Sequence, residues 1–119
     1  IMEKLISLLF LARDIAHREH LRTDSFSAHM ALGTFYNEII ENADAIAEAY
    51  MGSYKKLDSF PITGSAVDVE IIKLLQSHVK WIDGNRYTIC DQSDTPLQNL
   101  IDTAVETYLS TIYKLRFLK

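Results

Sequence analysis

The sequence has one cysteine, Cys90, so no internal disulfide is open to it, and a reducing, intracellular setting fits. Two prolines and four glycines in 119 residues leave no room for a flexible linker of any length. With 48% hydrophobic and 24% charged side chains, a chain of this size is expected to form one globular domain over 1–119 with its own core, which excludes a two-domain enzyme. Positive charge is in deficit: 12 Lys and Arg stand against 16 Asp and Glu, for a net charge of -4. No sequence-wide positive field exists to hold a phosphate backbone or an anionic membrane, which argues against nucleic acid as a partner. Long apolar runs are missing too. The run from Leu5 to Ala12 is closed by Arg13 and Asp14, well short of the roughly 20 residues a membrane span needs. No small-residue cleavage site follows it, so the expectation is a soluble chain without a membrane partner.

What is present is helical periodicity. Leu5, Ile6, Leu8, Leu9, Ala12 and Ile15 recur at three- and four-residue steps, predicting a first amphipathic helix over Met2 to Arg22. Thr23-Asp24-Ser25 is a cluster of cap formers that opens a second helix, striped by Phe26, Met30, Phe35, Ile39, Ile40, Ala43, Ile46 and Tyr50 and stopped by Gly52. A long connection over 53–65 leads to a third helix at about 66–82, ended by a turn at Asp83-Gly84-Asn85. Asp94-Thr95-Pro96 starts a fourth, from Leu97 to Leu118. The nearest approach to a strand, Tyr87 to Cys90, has nothing to pair with. The fold class predicted is all-α: a four-helix bundle with one long crossover between the second and third helices.

The histidines cluster. His17, His20 and His29 flank the first turn, and His78 is distant. Antiparallel helices place His17 and His29 at nearly the same height, so two imidazoles can meet, while His20, one turn above His17, reads as a solvated turn residue or a third member. His78 reads as surface or a satisfied core edge. Further along the second helix, Asp44 and Glu48 are four apart and share a face, with Glu41 one turn above. Imidazole with carboxylate suits iron, zinc or manganese. His29 and Asp44 lie about 22 Å apart at 1.5 Å per residue, so they cannot share an ion within one chain. Either the two groups are unrelated, or a two-fold axis brings the histidines of one protomer against the acids of another.

The stretch from Ala16-His17 through Ala47-Glu48 resembles the Dps-like branch of the ferritin-like proteins: a His, a second His twelve later, an Asp twenty-seven later and a Glu thirty-one later, with Asp-Ala-Ile-Ala-Glu similar to the family's Asp-x-x-Ala-Glu run and Phe35 at its mid-helix aromatic. Small ferritin-like proteins encoded by bacteriophages are similar in His-x-x-His near the turn and in Ala-Glu-Ala-Tyr. The resemblance implies a metal site of His17 and His29 from one chain and Asp44 and Glu48 from another. It implies ferrous iron oxidised by peroxide or oxygen and then sequestered, zinc as the alternative metal, and a homo-oligomer, a dimer or a dodecameric shell. The location implied is the cytoplasm, or a host cytoplasm or virion for a phage-encoded chain. Gly33 stands where the family has a further Asp, which implies one ion per site instead of two, and Arg18 stands where a Trp follows the first His. The alternative expectation is a non-enzymatic ferritin-like structural or interaction module, with a structural zinc at the interface.

Overall fold

The computed structural model describes residues 1–65 and 67–119 and is a bundle of four helices: α1 (Met2–Arg22), α2 (Phe26–Ser53), α3 (Ile71–Ile89) and α4 (Thr95–Phe117). Each internal helix start has a side chain to take up its free amides. Ser25 Oγ accepts from the Ala28 amide, Glu70 accepts from Ile72 and Lys73, and Asp94 accepts from Leu97 with Pro96 in the first turn of α4. The α2 helix of 28 residues sets the length of the molecule, 44 Å along its major axis.

Contacts across the bundle give the helix directions. Arg22, at the end of α1, bonds the Val67 carbonyl just before α3, so the connection has climbed back to the corner where α2 began. On the way it leaves Ser7 bonded to the Pro61 carbonyl and Phe60 beside Phe10. At the opposite end the Tyr54 hydroxyl meets the Asp94 carboxylate, joining the end of α2 to the start of α4. α1 and α4 therefore run one way, α2 and α3 the other. Each helix packs on two antiparallel neighbours, α1 on α2 and α3, α4 on α2 and α3. Their apolar stripes meet on the axis, where Leu5, Leu9, Phe35, Ile39, Ile46, Leu75, Ile82, Ile101 and Tyr108 are fully buried. The all-α bundle and its crossover match the sequence reading.

Three boundaries differ from expectation. Gly52 does not stop α2, which ends one residue later at Ser53. The third helix starts at Ile71, so Val67 and Val69 precede it, and the expected start at residue 66 lies outside the described residues. It then runs through Asp83-Gly84-Asn85, where a turn was expected, and on to Ile89. Gly84 does not have positive φ. The last turn is held from outside, because the Arg86 guanidinium bonds Gln98 Oε1 at 2.9 Å, the Gln98 carbonyl at 3.0 Å and the Asp102 carboxylate.

Candidate metal centre

The α1–α2 corner is short because Ser25 and Thr23 both fold their side chains onto the backbone, Ser25 capping α2 and the Thr23 hydroxyl accepting from the Ser25 amide at 3.2 Å. The last turns of α1 are thereby laid against the first turns of α2, and three imidazoles and one phenol come together. His20 and His29 are stacked, with ring centroids 3.7 Å apart and planes 17° from parallel. His17 stacks on Tyr36 at 4.2 Å and 10°, and stands edge-on to His20 at 6.0 Å. The order through the corner is Tyr36, His17, His20, His29.

The stack is clasped on both sides. His20 Nδ1 lies 2.6 Å from the His29 carbonyl oxygen, and His29 Nδ1 lies 2.8 Å from the His20 carbonyl oxygen. A carbonyl only accepts, so each Nδ1 carries a hydrogen, and in a neutral ring so bonded the lone pair belongs to Nε2. Metal-binding imidazoles are commonly oriented in this way, the second nitrogen anchored to a carbonyl or carboxylate. His20 and His29 are half-buried and His17 is exposed. The imidazole in direct contact with His29 is therefore His20, and the reading of His20 as a mere solvated turn residue is corrected. The reason lies opposite it: a Cβ on Gly33 would come within 3.2 Å of His20 Cε1 and 3.3 Å of its Nδ1, so the ring rests on bare α2 backbone.

Asp44 and Glu48 lie four and five turns down the outer face of α2, both exposed, with no hydrogen bond or ion pair among the described residues. Within one chain they are far from the imidazoles. Among the described residues, no three His, Cys, Asp or Glu side chains gather closely enough to hold an ion. The outer stripe of α2 is thus divided, with exposed Phe26 and Met30 beside the histidine corner and Glu41, Asp44 and Glu48 below. Arg18 bonds Glu19 through Nε at 3.1 Å, while its buried Nη2 has no partner among the described residues.

His78 is not at the surface. It is 5% exposed on α3, with Nδ1 2.9 Å from the hydroxyl of fully buried Tyr108, whose ring meets Phe35 edge-on. Burial lowers the His78 pKa to about 4 and raises that of Tyr108. Cys90 is buried, its thiol accepting from Gln98 Nε2 at 3.1 Å, with burial pushing its pKa up and so disfavouring the thiolate. The sequence reading missed Tyr36. The signal for it was its position seven residues after His29, two turns along the same side of α2.

The model of a family of unknown function, DUF5856, matches residues 20–115. The chain belongs to this family. No curated protein and no solved structure matches it. The DUF5856 match takes in His20, His29, Gly33, Asp44 and Glu48 along with α2, α3 and nearly all of α4, and it begins three residues after His17. Among the described residues no helix is long and apolar enough to cross a membrane.

Proposed function

We propose that two copies of the chain dock through the outer faces of α2, antiparallel about a two-fold axis beside Asn37 and Glu38, and that each interface end binds ferrous iron. His17 and His29 of one protomer and Asp44 and Glu48 of the partner subunit are the ligands. The supporting observation is the registry of the α2 stripe. An axis at that point sets His29 level with Ile46 of the partner subunit, between its two carboxylates, because both lie about 13 Å from the axis at 1.5 Å per residue. Exposed Phe26 and Met30, 77% and 54% accessible, would be covered by the same docking. The uncompensated carboxylates would lose their isolation at the same time.

Ferrous iron is the substrate in this reading. Two ferrous ions each give up one electron to peroxide, which takes up two protons and leaves as two waters, and the ferric product is sequestered. The Dps-like resemblance, the up-down-down-up connectivity and the Nδ1-anchored imidazole of His29 all support this. A second reading keeps the site and drops the turnover: the histidine corner supplies nitrogen donors while its Glu19 carboxylate is taken up by Arg18 and Arg22, which suits a zinc ion that only fastens the interface.

Aerobic ferrous oxidation followed by sizing tests the proposal. Rapid oxidation by an oligomer, abolished in His17→Ala and Glu48→Ala, is expected. Zinc retained through purification without iron oxidation would move the assignment to the structural reading, and equal metal content in parent and variants would sink both.

A further inference from the structure

We propose that the seam between α1, α3 and the crossover binds a single-chain amphiphile with a carboxylate headgroup, such as a fatty acid. Arg18 holds the headgroup, and the chain lies along Leu11 and Leu8 toward Trp81. The site takes no residue from the interface described above and stands or falls apart from it.

The first observation is a cavity. α1 and α3 pack less closely than any other neighbouring pair in the bundle. The crossover borders the gap and is tied down at both ends, through Phe60 and Pro61 to Phe10 and Ser7, and through the Val67 carbonyl to Arg22. Two spaces open there, one of about 370 Å³ lined by Leu8, Leu11, Pro61 and Trp81, the other of about 230 Å³ lined by Leu11, Ile15, Arg18 and Gly64. Leu11 and Thr63 line both, so the two adjoin along one stripe of α1.

The second observation is the lining. Leu8, Leu11 and Trp81 are only half-buried, and the larger space is walled almost wholly by apolar atoms. An aliphatic chain covers such a wall and leaves no polar group without a partner. From Leu8 to Arg18 the stripe runs roughly 15 Å at 1.5 Å per residue, about the reach of an extended laurate chain.

The third is charge at one end of the trough. Among the described residues only Nε of the Arg18 guanidinium is bonded, to Glu19, whose carboxylate is shared with Arg22. Neither Nη atom has an acceptor among them, and Nη2 is buried. A buried guanidinium nitrogen without an acceptor is costly, and a carboxylate can take both Nη atoms at once. The side chain is 30% exposed, which leaves it open to a ligand. Asp14 lines the same space but is bonded to Arg13, and its charge, with that of Glu19, favours a headgroup of single negative charge over a phosphate dianion. Lys4 lines the other end and is exposed, so its ammonium is satisfied by water. The charge of the ligand therefore belongs at Arg18.

Trp81 is the one tryptophan of the chain, so its fluorescence reports on this seam alone. Laurate added to the full chain below its micelle concentration should shift the emission to the blue and saturate at about one molecule per chain. In the parent, laurate should bind more tightly than dodecanol, and dodecylamine least, a ranking that needs no variant. Arg18→Gln should weaken laurate by about tenfold and leave dodecanol as it was. Leu11→Asn should weaken both, and Lys4→Gln neither, with helicity by circular dichroism unchanged throughout. No saturable response to laurate, equal affinity for the three ligands, or laurate lost in Lys4→Gln and kept in Arg18→Gln would overturn the assignment. A response to phosphatidylglycerol vesicles alone would overturn it as well, by making the seam a membrane contact.

Discussion

Two packed contacts carry most of the consequences at the scale of single residues. His78 is held neutral on α3 by burial, its pKa lowered from 6.5 to about 4. Between those values the unfolded chain takes up a proton that the folded chain refuses. Stability is therefore full above about pH 6.5 and declines as the pH falls toward 4, by on the order of 3 kcal/mol in all. Urea unfolding of the parent and of His78→Gln at pH 7 and pH 4.5 should show this component in the parent only; the same pH loss in both would show that His78 is not its source. The Gly33–His20 contact makes a second prediction. Alanine at 33 should gain about 0.5–1 kcal/mol of helix propensity once the ring is gone. Gly33→Ala is thus expected to stabilise a His20→Ala background and to give less or nothing in the parent, where the new Cβ meets the ring at 3.2 Å. An equal gain in both backgrounds would mean that the ring does not rest there.

The helices differ in how much of their extent the local sequence reveals. α1 and α2 were readable because an unbroken stripe meets a cap cluster at Thr23-Asp24-Ser25, and Ser25 does cap. α3 was misplaced at both ends for a physical reason. Val67 and Val69 continue its apolar pattern backward, yet Glu70 gathers the amides of Ile72 and Lys73 and starts the helix after them. Asp83-Gly84-Asn85 has turn chemistry, yet Arg86 is tied to Gln98 and Asp102 on α4, a tertiary clamp that no local pattern shows. Gly84→Ala separates the two descriptions. A Cβ there meets nothing within 4 Å, so a helical Gly84 should give about 1 kcal/mol of stabilisation in thermal unfolding, whereas a turn would give none. Arg86→Ala should fray the last turn of α3, read as faster amide exchange over Arg86 to Ile89.

For the whole molecule, the sequence was informative about heights and silent about pairings. Counting residues from the turn puts His17 and His29 level, but which ring touches which depends on rotamers and on the bare backbone at Gly33. His78 could not be located because its partner, Tyr108, is 30 residues away. The central claim is that the site is divided between two chains, and mixing tests it directly. A His17→Ala/His29→Ala variant and an Asp44→Ala/Glu48→Ala variant should each fail to bind metal. Co-refolded in equal amounts, they form hybrid dimers in which one of the two sites is whole, so about a quarter of the parent's metal capacity should return. If the mixture binds no more than either variant alone, the shared-site account is contradicted.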